Sequence, residues 1–226
     1  MSKQYELIVF DWDGTLMDSE SRIVACMQAA VEDAGAEPIS NEAVKGIIGL
    51  ELGKAVQTLY PEGDAEFVQK MVDRYRHHYI VQDKTPSPLF EGVEATLQQL
   101  HDRGLLLAVA TGKGRRGLDK VLDETGLRPL FHTTRCADEA FSKPHPDMLE
   151  QILAEMGVEP QAALMIGDTS FDLQMAQSAK VDAVAVSFGV QHCDNLLQYK
   201  PLLCVDSIPD LLQWLDEVNA VSASSR

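Results

Sequence analysis

The sequence predicts an α/β protein: a parallel sheet with helices on both faces, interrupted after its first strand by an all-helical insertion. Three observations carry that reading. Short apolar, β-branched runs recur at residues 7–10, 105–110, 163–166, 183–186 and 203–205 with helical patterns between them, and strands alternating with helices make βαβ units. Residues 18–85 hold no good strand pattern and are far too many for a crossover. The length of 226 residues exceeds a typical domain of roughly 100–150 residues and falls short of two, as one domain with a large insertion would.

Taken in order, Leu7-Ile8-Val9-Phe10 is the first strand, apolar throughout because both faces of a parallel sheet are covered. The insertion then follows the helical period, with Ile23, Met27, Ala30, Val31 and Ala34 on one face and Gly35 as the stop. At least two more helices are expected, at 52–59 and 67–80. We expect residues 1–17 and 86–226 to form the core and 18–85 a helical lobe that leaves from a strand's carboxyl end, where open α/β sheets bind ligands. Core helices are expected at 93–103, 116–125, 146–156, 171–179 and 208–218, a weaker strand at 131–135, and fraying over 221–226.

Composition narrows the function. Nineteen Lys and Arg against 35 Asp and Glu leave a formal charge of −16, a field that repels nucleic acid and anionic membrane surfaces. Hydrophobic content of 45% and charged content of 24% exclude disordered and fibrous classes. The longest apolar stretch after the first strand is residues 105–110, so neither a signal peptide nor a membrane span is expected. Cys26, Cys136, Cys193 and Cys204 form no C-x-x-C pair and read as reduced thiols in a cytoplasmic protein. No His and Cys spacing suits zinc.

Chemistry concentrates at the strand ends. Asp11-Trp12-Asp13-Gly14-Thr15 follows the first strand; residues two apart on extended backbone point the same way, so both carboxylates can converge on one hard divalent cation. Asp168 ends the run at 163–166, and Asp172 lies one helical turn later. Each pair taken alone is also what an acidic turn or a helix N-terminus looks like. Thr111 and Lys143 add donors, and the set then suits a carboxylate nucleophile, a magnesium ion and a phosphoryl group.

Asp11-x-Asp13-Gly14-Thr15, Thr111-Gly112-Lys113, Lys143-Pro144 and Gly167-Asp168-x-x-x-Asp172 resemble the four ordered motifs of the haloacid dehalogenase superfamily, in its phosphoglycolate-phosphatase-like branch. The first motif alone would arise in about 1% of shuffles of this composition. The resemblance implies a Rossmann-like core with an inserted α-helical cap, and an Mg2+-dependent phosphatase acting through an aspartyl-phosphate on a small metabolite of phosphoglycolate or sugar-phosphate type. It also implies roles: Asp11 as nucleophile and Asp13 as general acid and base, with Thr111, Gly112 and Lys143 gripping phosphate. Asp11, the Asp13 carbonyl and Asp168 would hold the metal, with Asp172 supporting that shell and Lys143. A small phosphorylated substrate and a monomer or homodimer are expected. Asp13 argues against dehalogenation, whose members carry no acid there, and Trp12 replaces the usual Leu or Met for no reason the sequence shows.

Other readings compete. A phosphomutase of the β-phosphoglucomutase type shares these motifs. Gly112, Gly114 and Gly117 satisfy G-x-G-x-x-G after a strand, the dinucleotide-binding pattern, although such spacing arises in about 6% of shuffles. A non-catalytic acidic metal-binding domain is a third reading. We expect Lys113, Arg115, Arg116 and Lys143 to form a local positive patch, and residues 46–54 to approach the core and set substrate choice.

Overall fold

The computed structural model describes residues 4–224. After β1 (Leu7–Phe10), the insertion comprises α1 (Glu20–Ala34), α2 (Asn41–Lys45), α3 (Leu52–Leu59) and α4 (Ala65–His77), the last running into a π turn at His78–Gln82. The chain then alternates through α5 (Val93–Asp102), β2 (Leu106–Thr111), α6 (Arg115–Thr125), β3 (Thr133–Cys136), α7 (Asp147–Met156), β4 (Ala163–Gly167), α8 (Ser170–Ala179) and β5 (Asp182–Val186), ending with α9 (Cys193–Leu196), β6 (Cys204–Val205) and α10 (Ile208–Ser224). All strands are parallel in the order β3-β2-β1-β4-β5-β6. The order reverses between β1 and β4, and at such a switch point a crevice opens beyond the strands' carboxyl ends.

Alternation along β1 divides the core between the two faces. Ile8 and Phe10, with Leu107 and Val109, meet Leu97 and Leu100 of α5, Leu118 of α6 and Leu211 of α10. Leu7 and Val9, with Ala108 and Ala110, meet Met148 and Ile152 of α7 and Met175 and Ala176 of α8. Trp12 is the largest fully buried side chain. Its ring sits in the first cluster, tilted 59° against Phe131 at 6.3 Å, and its Nε1 donates to Met17 Sδ at 3.3 Å. That is the physical account the sequence lacked: a bulky side chain fills the space beneath the turn that carries Asp11 and Asp13.

The inserted helices bury a cluster of their own around Met27, Val31, Val44, Val56 and Met71. Gly35 ends α1 at φ 65°, as expected, while Ser40, Glu51 and Asp64 accept backbone N–H bonds at the starts of α2, α3 and α4. The two crossings between insertion and core run side by side: Asp18 N donates to Pro88 O at 2.9 Å and Phe90 N to Leu16 O at 3.0 Å.

Several expectations need correction. The four cysteines are not all apart: Cys193 and Cys204 meet, their Cα atoms 6.3 Å apart and within disulfide reach; closeness in the fold, across the β5–β6 connection, is invisible in sequence spacing. Cys26 and Cys136 are free and buried. The expected fraying over 221–226 gives way to α10 as far as Ser224, and residues 225 and 226 lie outside the described residues. Among the described residues no helix is long and apolar enough to cross a membrane.

Replacing Trp12 by Ala should cost about 3–5 kcal/mol, the usual range for a buried Trp or Phe. Urea denaturation with an unchanged m value checks this; a loss below about 1 kcal/mol would mean that the ring is not a packing element.

Candidate functional site

The strand register assembles the site. Phe10 pairs with Val109 and with Ile166, so Asp11, Thr111 and Asp168 all emerge at one edge. Thr111 is fully buried, and its Oγ1 accepts from Lys113 N at 3.2 Å. Asp11 N donates to Ile166 O at 2.9 Å, tying the first turn to β4. Gly14, at φ 78°, brings the turn so close that a Cβ there would stand 2.2 Å from Asp168 Oδ2; no other residue fits.

Lys143, fully buried, reaches in from the segment before α7 across a cis peptide to Pro144. Its Nζ lies 2.8 Å from Asp11 Oδ1 and 2.6 Å from Asp172 Oδ1. Asp172 Oδ2 in turn accepts from Thr169 N at 3.1 Å and Thr169 Oγ1 at 2.7 Å, which locks the first turn of α8. Asp168 accepts from Thr15 Oγ1 at 3.0 Å and Val190 N at 2.8 Å. Ligand atoms of Asp11, Asp168 and Asp172 all lie within 4.8 Å of one another.

Three buried carboxylates face one ammonium, a formal −3 + 1 = −2 when all are ionised. Burial raises the Asp11 carboxyl well above its ordinary range, with Asp172 and Asp168 adding to the rise and Lys143 opposing it. Burial, then Asp172, pushes Asp168 up to about 7. Asp11 Oδ2 is buried without a hydrogen-bond partner, while Oδ1 accepts from Trp12 N at 2.7 Å. An all-oxygen donor set, a surplus of two negative charges and an orphaned carboxylate oxygen fit a hard divalent cation.

Asp13 turns a different way. Its Oδ1 accepts from Ser19 Oγ at 2.5 Å and meets Lys113 Nζ at 2.9 Å, and its carboxylate is not among the three that cluster. Ser19 starts α1 without capping it by a side-chain bond, its hydroxyl being committed to Asp13. Lys113 Nζ also donates to Tyr79 OH at 2.8 Å, so the π turn of the insertion touches the first motif through one lysine.

The connection at 46–54 does approach the core. A Cβ on Gly112 would stand 2.5 Å from Gly49 O and 2.7 Å from Leu50 O, and Glu51 N donates to Ser142 Oγ at 3.0 Å. The close approach that Gly112 permits is thus taken by the insertion's backbone, not left open for a pyrophosphate, and Gly117 lies inside α6. The expected positive patch dissolves. Lys143 and Lys113 are consumed by Asp11, Asp172 and Asp13, and Arg115 turns to Glu139 and Thr134. Arg116 alone of the four stays exposed on the rim.

Sequence reasoning assigned nothing to Thr15, Ser19, Tyr79, Gly189 or Val190. For Gly189 the signal was a glycine just past a strand end, since a Cβ there would stand 2.2 Å from Asp168 Cβ and 2.5 Å from Gly14 O.

A family profile described as haloacid dehalogenase-like hydrolase matches residues 8–186. The protein named Probable phosphatase IndB of Dickeya dadantii is 33% identical over 210 residues, 91% of each chain. Pyrophosphatase PpaX of Halalkalibacterium halodurans is 30% identical over 207 residues, 91% of this chain and 94% of that one. Among solved structures, a predicted phosphoglycolate phosphatase from Haemophilus somnus superposes with a TM-score of 0.85 at 25% identity, covering 94% of this chain and 99% of its own.

The raised Asp168 pKa has a signed consequence. Between its ordinary value of 3.8 and about 7 the folded metal-free protein binds a proton that the unfolded chain has released, so this site's contribution to stability is lost as pH rises through that window. In chelator, the wild-type melting temperature should fall relative to Asp168→Asn as pH is raised through that window, and a divalent cation should restore it chiefly above the window. Parallel wild-type and Asp168→Asn profiles in differential scanning calorimetry would contradict this.

Proposed function

Since the chain belongs to the haloacid dehalogenase-like hydrolase family, we propose that it is a magnesium-dependent phosphatase that cleaves a small phosphate monoester through an aspartyl-phosphate on Asp11. The observation that carries this reading is the buried cluster of Asp11, Asp168, Asp172 and Lys143, with its surplus negative charge and orphaned Asp11 oxygen, at the sheet's switch point. The names of the relatives, a phosphatase and a pyrophosphatase, and of the structural neighbour, all describe phosphoryl hydrolysis.

Asp11 attacks phosphorus, an O–P bond forming as the ester oxygen departs. Asp13 gives that oxygen its proton, and in the second half takes one from the water that attacks the aspartyl-phosphate, so that phosphate leaves and Asp11 is restored. Lys143 and Thr111 offer donors to the phosphoryl oxygens, with the Gly112 amide beside them. Lys143 holds the attacking carboxylate in place through its bonds to Asp11 and Asp172. Magnesium held by Asp11, Asp168 and the Asp13 carbonyl supplies, when bound, the positive charge that lets an anionic carboxylate meet an anionic phosphate. Thr15 and Val190 orient Asp168 for that task. The helical segment 18–85 acts as a cap that excludes bulk water from the cleft.

Asp11→Asn keeps the shape and removes the nucleophilic charge. Phosphate release should fall by at least about 10³-fold, more than 4 kcal/mol of barrier, with the thermal melt in chelator unchanged or raised, because one charge leaves an over-negative cluster. Retention of activity within about tenfold of the parent overturns the assignment.

A further inference from the structure

A cavity of 580 Å³ lies between the inserted helices and the core, within the range of about 300–1,000 Å³ that buries most of a drug-sized ligand. Its floor holds Asp11, Asp13 and Lys113, and above them stand Ile48, Leu50 and Leu52 from the connection into α3 and Tyr79, Ile80 and Val81 from the π turn. The insertion is seated on the core around it, through Gly49 and Leu50 over Gly112, Glu51 on Ser142 and Tyr79 on Lys113. The volume is therefore that of a seated lobe. Val81, which also lines the cavity, is an apolar side chain that keeps 63% of its surface exposed.

Charge near the leaving-group end points the same way. A carboxylate or second phosphate there would require its own cation, since a buried unpaired anion is costly. Lys143 and Lys113 are already engaged by Asp11, Asp172 and Asp13. The Glu51 carboxylate caps α3 through Gly53 N and Lys54 N and adds negative charge to the wall. Arg76, His77 and Arg116, the other basic side chains lining the cavity, are exposed, and Asp73 and Asp138 line it too.

Resting on the phosphatase reading above, we infer that the substrate is a phosphate monoester whose leaving group has an apolar body, an aliphatic chain or an aromatic ring. A two-carbon acid or a second phosphate leaves this wall unused. The test is a homologous series of ethyl, butyl and hexyl phosphate, whose alcohols differ little in acidity, assayed on the full chain with magnesium beside phosphoglycolate, pyrophosphate and p-nitrophenyl phosphate. The expected result is a rise in kcat/KM of about threefold to fourfold per added methylene, the transfer free energy of one CH2 read as a rate ratio, with hexyl phosphate ahead of phosphoglycolate and pyrophosphate. Leu50→Asn should lower kcat/KM for hexyl phosphate more than for ethyl phosphate. A flat series, or a preference for phosphoglycolate or pyrophosphate over every alkyl ester, while p-nitrophenyl phosphate is still turned over, overturns this inference alone. Failure to turn over any of the six compounds overturns the phosphatase reading and the inference with it.

Discussion

A fully buried ammonium has few places to go, and in this fold Lys143 makes the rest of the site necessary. Desolvating a lysine is tolerable only with close anionic partners, and Asp11 and Asp172 supply them at 2.8 and 2.6 Å. Those two aspartates belong to elements that follow different strands, so the ion pairs draw together the turn after β1, the segment before α7 and the first turn of α8. The glycines follow from that crowding. Gly14 and Gly167 stand where a Cβ would meet Asp168 and Asp172 at 2.2 and 2.3 Å, because three carboxylates and their backbone supports fill one small volume.

The second dependency runs from the turn after β1 into the inserted helices. Trp12 points into the core while its neighbours Asp11 and Asp13 point to the cleft, as alternation along an extended backbone requires. Asp13 then faces Ser19, at the start of α1, and Lys113, which carries Tyr79 of the π turn. Arg22 steadies that turn by donating to Tyr79 O at 2.9 Å and Asp83 O at 3.1 Å. A π turn in a helix is a local irregularity often found near functional groups, and here it brings a phenol to the lysine that binds Asp13.

The parallel sheet was legible because burial on both faces writes each central strand as an unbroken apolar run; the start and end of Leu7-Ile8-Val9-Phe10 agree with β1. The edge was less so. Thr133–Cys136 is polar in its middle, and Arg135 pairs with Glu155 there, so its pattern resembles a loop and the expected strand began two residues early. For the site, strand-end position and residue type picked out Asp11, Thr111, Lys143, Asp168 and Asp172, which the register and ion pairs do bring to one edge. Side-chain direction was not legible. Asp13 and Lys113 face each other across 100 residues of chain, and Tyr79 meets them only because α4 gives way to the π turn. Nor could spacing reveal the closeness of Cys193 and Cys204 or Val190's bond to Asp168, both of which depend on how the end of β5 folds back over the sheet.

The paired crossings at Asp18–Pro88 and Leu16–Phe90 carry one further consequence. To the core, the insertion is a loop whose ends are already pinned by backbone bonds, and the entropy of closing a loop grows only slowly with its length, by about 0.6 kcal/mol per doubling. The core's register, its two apolar faces and its acidic cluster are therefore nearly indifferent to how many residues lie between the pins. A gene segment encoding a longer, shorter or differently shaped lobe could be spliced in at this point with little folding penalty, so the chemistry beneath and the shape above are free to diverge at different rates.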